Sequence, residues 1–270
     1  MKMMRLGQAL YGALGKPFPW IPPAKRSVRH LSMPSSANID RDGKLHARLP
    51  VVLVGAGDVA KHDLQRFPHD WIFVGVDGGA NTCQNHGRSP SLVLGDLDSY
   101  EPDPLITAPV KHIPEQNSTD LQKALMLVDA PLIIGLGFLS DRLDHALAGL
   151  DTMAYCQRPF ILIGEQDAVV TLPQHTDLTL PVGTRLSLMP WPEKTFLHDQ
   201  GLEYPLKGLT LKQGIQLGTS NKTIAEAVHM VTEPDGLCLL ILPKTELNAL
   251  IHLFAPQFAA LLNLPNQPMP

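Results

Sequence analysis

The segment WIFVGVDGGA (71–80), followed after ten residues by SLVLGDLDS (91–99), decides the fold class. Each is a short apolar run rich in β-branched residues that closes on Gly and Asp, and VVLVGAG (51–57) and PLIIGLGFL (131–139) have the same texture. Their hydrophobicity is continuous rather than alternating, which marks strands covered on both faces, as in a parallel α/β sheet. Helices are expected between them. T-D-L-Q at 119–122 is a capping box, in which Thr119 bonds the Gln122 amide and Gln122 reaches back, so a helix starts at Asp120. Downstream, DRLDHALAGLDTMAYCQ (141–157) spaces Leu143, Ala146, Leu147 and Leu150 as one helical stripe.

Beyond Pro159 the pattern becomes β runs separated by turn residues: FILIG (160–164), AVVTLP (168–173), TRLSLMP (184–190), LKGLTL (206–211), AVHMVT (227–232) and GLCLLILP (236–243). Such spacing indicates an antiparallel sandwich or barrel. The reading is therefore an α/β chain: a parallel-sheet domain over residues 49–158, then an antiparallel sandwich or barrel over residues 159–243. Residues 244–270 read as a helical tail interrupted at Pro256. Residues 1–48, with five prolines and little periodicity, read as an extension outside the core.

Composition narrows the function. The chain has 270 residues, 44% hydrophobic and 18% charged, which is ordinary globular usage. Its longest nearly uncharged apolar run, residues 130–139, is far short of the roughly 20 residues that cross a bilayer, so no membrane span is expected. Three widely separated cysteines (83, 156 and 238) fit neither a disulfide framework nor a CxxC metal site, and suit a reduced, cytoplasmic protein. Residues 1–48 carry nine Lys and Arg against two Asp, which leaves 13 basic and 24 acidic residues for the rest. An acidic body makes a poor nucleic-acid binder, because that affinity comes from neutralising phosphates.

The candidate chemistry sits at the strand ends, where open α/β sheets bind ligands. VGAG (54–57) and VDGGAN (76–81) are Gly-rich turns whose backbone amides can approach phosphate oxygens, with Gly78, Gly79 and Asn81 in the second and Asp77 able to meet a ribose or base edge. In GDLDS (95–99), Asp96 and Asp98 share one face of an extended segment, a pair that suits Mg²⁺ held by a few carboxylates, waters and phosphates. QNSTD (116–120) brings Gln116, Thr119 and a third carboxylate, Asp120, with Lys123 following. In SDRLDHAL (140–147), Arg142 has the forked donors to clamp phosphate, and Asp144 can orient it.

Taken together, VDGGAN, GDLDS, QNSTD with Lys123, GFLSDRLDH (137–145), GLEYPL (201–206) and GTSN (218–221) resemble the thiamine pyrophosphokinase family, over about residues 50–243. The resemblance implies a parallel-sheet nucleotide-binding domain (residues 49–158) followed by an antiparallel β-sandwich that binds thiamine (residues 159–243), and transfer of pyrophosphate from ATP to the hydroxyethyl oxygen of thiamine, giving thiamine diphosphate and AMP, in a homodimer with active sites between subunits. It implies Asp96, Asp98 and Asp120 as Mg²⁺ ligands. Asp77, Gln116, Thr119, Lys123, Arg142 and Asp144 would line the nucleotide and acceptor site. Ser220 and Asn221 would close over thiamine, and Trp191 and Tyr204 are candidates to stack on its cationic ring. This chain departs from the family in carrying Ser140 and Asp141 where Gly-Gly is common, and Gly149 where Asn is usual. The alternatives are a pyrophosphokinase for a pterin-like alcohol and a non-catalytic thiamine or nucleotide sensor.

Overall fold

The computed structural model describes residues 36–140 and 142–260. The chain runs β1 (Ala37–Ile39), β2 (Leu45–Ala47), β3 (Val51–Val54), α1 (Lys61–Gln65), β4 (Ile72–Val76), α2 (Gly79–Asn85), β5 (Leu92–Gly95), β6 (Val110–His112), α3 (Asp120–Leu127), β7 (Val128–Asp129), β8 (Ile133–Leu136) and α4 (Leu143–Tyr155). It continues through β9 (Phe160–Ile163), β10 (Asp167–Thr171), β11 (His175–Thr179), β12 (Arg185–Gln200), β13 (Thr210–Lys212), β14 (Gly218–Lys222), β15 (Ala227–Pro243), α5 (Leu247–Phe254) and α6 (Pro256–Ala259). None of the described helices is long and apolar enough to cross a membrane.

Six strands, in the order β9-β8-β3-β4-β5-β6, pair in parallel. Both faces of this block are covered. On β3, Val52 and Val54 enter one apolar cluster while Val51 and Leu53 enter the other, and β9 divides Ile161 and Ile163 from Phe160 and Leu162 in the same way. This two-sided burial is what the uninterrupted apolar runs encode. Parallel pairing also puts every strand's carboxyl end at one edge of the sheet, so the turns after β3, β4, β5, β6 and β8 gather there. The order reverses between β3 and β8, the crevice at which such sheets take ligands.

Phe160–Ile163, expected to open the antiparallel part, instead pairs in parallel with β8 as the last strand of this block. The antiparallel strands then join the same twelve-stranded sheet through β10, which pairs β9 on one side and β15 on the other. AVHMVT and GLCLLILP, read as two strands, are one 17-residue strand, β15. The intervening EPDG looks like a turn, but it is accommodated as an irregularity of register against β12. Lys194 holds it: buried, it donates Nζ to the carbonyls of Glu233 (2.8 Å), Asp235 (3.2 Å) and Gly236 (2.8 Å). One ammonium with three protons thereby satisfies three backbone acceptors that the ladder leaves over.

The N-terminal reading is corrected from residue 36 onward; residues 1–35 lie outside the described residues. β1 and β2 form a hairpin that continues onto β7, and Leu45 is wholly buried. The turn is set by Asp40, whose Oδ1 accepts from the amides of Asp42 (2.9 Å) and Lys44 (3.0 Å). The D-G pair at 42–43 is the sequence signal for such a turn. At the other end, α5 places Leu247, Leu250 and Ile251 in the larger core cluster, and the helical tail breaks at Ala255, before Pro256. Residues 261–270 of that tail lie outside the described residues.

Candidate active site

The carboxyl edge of β4 and β5 assembles the acidic residues. Asp77 follows β4 and Asp96 follows β5, while Asp120 opens α3 behind the observed Thr119–Gln122 capping box. One carboxylate oxygen from each of Asp77, Asp96 and Asp120 lies within 4.8 Å of the others. Gly95 makes the approach possible. Its φ is +140°, and an added Cβ would press to 3.3 Å on Asp120 Oδ1 and on the Cβ of Asp77. Gln116 donates Nε2 to Asp96 Oδ2 (3.0 Å), and the buried Lys123 places Nζ 2.9 Å from Asp120 and 3.8 Å from Asp96.

Asp98 stands beside this group rather than in it; the third member is Asp77. An i, i+2 pair shares a face only while the backbone stays extended, and Leu97 between Asp96 and Asp98 has φ 65°. Asp77 itself has φ 52°, and its carboxylate is anchored by Ser99, which donates its amide to Oδ1 (3.2 Å) and its hydroxyl to Oδ2. Ser220 is the third non-glycine residue at positive φ among the described residues, so all three fall in motif segments picked from sequence. Conformations of this kind cost about 1–3 kcal/mol each and collect where function requires them.

The electrostatics follow from the crowding. A hydrogen bond with Asp77 and the charges of Asp96 and Asp77 push the Asp98 carboxyl above its usual range. Burial raises Asp96, but Gln116, the Asp98 amide and Lys123 outweigh it and leave that carboxyl low. Burial opposes the charge on Lys123, yet Asp120 and Asp96 hold its ammonium above the ordinary lysine value. Because folded Asp98 binds its proton more tightly than the unfolded chain does, its contribution to stability is present at low pH and lost as pH rises through the folded value. Asp98→Asn, neutral throughout, is therefore expected to raise the melting temperature more at pH 7 than at pH 4 when divalent cations are chelated. Paired thermal melts of the two proteins measure this.

Arg142 and Asp144 occupy the start of α4, after β8. Arg142 donates Nε (3.2 Å) and Nη2 (2.7 Å) to the two oxygens of Asp144, and both side chains are exposed. That forked pair holds the Asp144 carboxyl below the usual range. Asp144 lies outside the three-carboxylate group.

Other expected contacts turn out to be internal fasteners. The Gly55 and Gly57 amides, read as free to meet phosphate, donate to the carbonyls of Leu136 (2.8 Å) and Gly137 (3.2 Å), so VGAG ties the β3 turn to the β8 turn. The Gly78 amide goes to Ser99 Oγ (3.1 Å). Gly79 is a packing requirement, because a Cβ there would overlap the Val54 carbonyl. Asn81 spends both ends of its amide on the Glu101 backbone (2.6 and 3.0 Å), and Asn221, buried, spends its own on the backbone of Tyr204 (2.8 and 3.1 Å). Ser220 is exposed and its amide donates to Ser187 Oγ (3.0 Å). Trp191 packs against the second core cluster, while Tyr204 is 60% exposed. Sequence reasoning missed Ser99, whose only signal is a hydroxyl placed directly after the D-x-D pair.

Residues 65–163 match the family model described as the thiamin pyrophosphokinase catalytic domain. A protein named Thiamin pyrophosphokinase 1 from Caenorhabditis elegans is 28% identical over 178 residues, covering 58% of this chain and 73% of that protein. The fold is similar to thiamin pyrophosphokinase structures from Geobacillus thermodenitrificans (TM-score 0.61, 23% identity, 72% of this chain and 97% of that one) and Candida albicans (TM-score 0.62, 14% identity, 73% and 89%). Over residues 65–163, which carry the carboxylate-lined strand ends, the chain is thus similar to the catalytic domain of thiamin pyrophosphokinases.

Proposed function

We propose that this chain transfers the pyrophosphoryl group of ATP to the hydroxyethyl oxygen of thiamine, releasing AMP. The observation that carries this reading is the meeting of Asp77, Asp96 and Asp120, from three separate segments, at the carboxyl edge of a parallel sheet. A set of carboxylate oxygens suits a hard divalent cation, and Mg²⁺ completes its shell with waters and phosphate oxygens. Asp77, Asp96 and Asp120 would hold it, with Asp98 alongside. When bound, it supplies neutralisation of the triphosphate charge.

Phosphoryl transfer asks the protein mainly for positioning and electrostatics. Lys123, fixed by Asp120 and Asp96, sets one positive charge beside the phosphates, and the Arg142 fork sets another across the β3–β8 crevice. The alcohol oxygen bonds to the β-phosphorus, the bond from that phosphorus to the oxygen bridging to the α-phosphorus breaks, and AMP leaves with that electron pair. The alcohol proton passes to Asp98 or Asp120, directly or through water. The parallel strands through β9 serve the nucleotide and metal, and the antiparallel strands β10 to β15, which continue the same sheet, serve thiamine with Ser220 and Tyr204. The working unit is a homodimer in the cytoplasm. Exposed Leu143 and Leu147 on α4, with Tyr204, Ile215 and Ile224 in the antiparallel half, supply apolar surface for a second copy to cover.

The test is incubation with thiamine, ATP and Mg²⁺. Equal amounts of AMP and thiamine diphosphate are expected, with none when the metal is chelated. ADP in place of AMP, or no thiamine diphosphate, would overturn the assignment.

A further inference from the structure

The opposite edge of the sheet holds a second polar centre that pyrophosphate transfer does not use. Trp71 immediately precedes β4, Ser91 precedes β5 and Leu49 lies just before β3, and all three line a cavity of about 550 Å³. An adjoining cavity of about 610 Å³ shares His69, Gly87 and Arg88 with it. Strands of four and five residues, rising about 3.3 Å per residue, separate this edge from the carboxylates.

Arg88 is the anomaly. Its side chain is only 5% exposed, with the guanidinium centre 5.0 Å from the middle of the Phe73 ring and Nη2 donating to the carbonyls of Leu64 (3.0 Å) and Phe67 (2.6 Å). Among the described residues Nη1 is buried without a partner, and so is the indole Nε1 of Trp71, a residue 3% exposed that lines the same cavity. Among the described residues no carboxylate pairs with Arg88, although Asp70 lines the cavity. Cys83 beside it is no counter-ion, because burial pushes its thiol up to about 12 and keeps it neutral. Outside the described residues the sequence has one acidic side chain, that of Asp141. A buried cation with no carboxylate partner among the described residues, in a cavity whose lining also includes an unused indole donor, is a costly arrangement that a bound anion would relieve.

We propose that this cavity is an oxyanion site, taking a small phosphate or carboxylate compound on Arg88 Nη1 and Trp71 Nε1, with Ser36, His69, Ser89 and Ser91 around it. The site is independent of the transfer reaction at the other edge. The test titrates the ¹⁵N-labelled full chain with inorganic phosphate, and in a second arm with succinate, at constant ionic strength. The Trp71 indole N–H signal, identified by its loss in Trp71→Phe, reads the cavity itself. A saturable shift is expected with at least one anion, and the arm that saturates tells a phosphate ligand from a carboxylate one. Arg88→Gln is expected to abolish saturation. Ser91→Asp, which places a carboxylate in the cavity, is expected to raise the melting temperature of the anion-free protein and weaken anion binding at least about tenfold. An indole signal that stays still or drifts linearly with both anions, or saturation unaltered in Ser91→Asp, would overturn the proposal.

Discussion

Asp77→Asn is expected to lower kcat/KM for formation of thiamine diphosphate by about 10²–10³-fold, the usual cost of removing one charge that stabilises a transition state. The fold should survive, because Asn can place its one oxygen at the Oδ2 position, which faces both the Ser99 amide (3.3 Å) and the Ser99 hydroxyl. What changes is the charge at the most enclosed carboxylate of the group: Asp77 is 5% exposed, whereas Asp98 is exposed to competing water. Two comparisons separate charge from scaffolding. Ser99→Ala removes an anchor while leaving the carboxylate, and is expected to cost about tenfold, the low end for losing one hydrogen bond to a charged group. Asp144→Asn, which loosens Arg142 rather than the three-carboxylate group, should be milder than Asp77→Asn. Steady-state kinetics at saturating Mg²⁺, with melting temperature as a check on folding, decide the ranking; near-normal turnover in Asp77→Asn would remove the proposed metal role.

That ranking rests on geometry the sequence only half discloses. The D-x-D pair at 96 and 98 reads as a shared face because alternation is the default for an extended chain. The left-handed Leu97 breaks that default, and no propensity rule anticipates leucine at φ 65°. Asp77 could be found as a carboxylate on a strand-end turn, but its meeting with Asp96 and Asp120 depends on β4 lying next to β5, a long-range fact. The parallel strands were legible because burial on both faces writes itself into continuous apolar runs. The antiparallel half was less so: EPDG carries every local mark of a turn, and what keeps β15 running through it is Lys194, a residue on another strand. The glycines divide the same way. Their positions after strands are plain in the sequence, but whether an amide is free for phosphate or already bound to the next turn is decided by tertiary approach, as Gly57 and Gly137 show.

Gly79→Ala is expected to have the largest effect on stability, about 3 kcal/mol or more, read as a fall in the denaturant midpoint. The added Cβ would overlap the carbonyl of Val54 and stand 2.7 Å from that of Gly55. These are backbone atoms of a central strand buried on both faces, so the usual remedy of a neighbouring side chain changing rotamer is closed. α2 must lift from β3 instead. The turn that would move with it is Asp77–Gly78, which holds Ser99 and through it the loop after β5. Activity should therefore fall further than the unfolded fraction alone explains. Gly87→Ala gives the contrast: Gly87 has φ +76° but nothing within 4 Å, so only the backbone preference is at stake, about 1 kcal/mol. If the two variants melt alike, close seating of α2 on β3 is not what fixes the carboxylate turn.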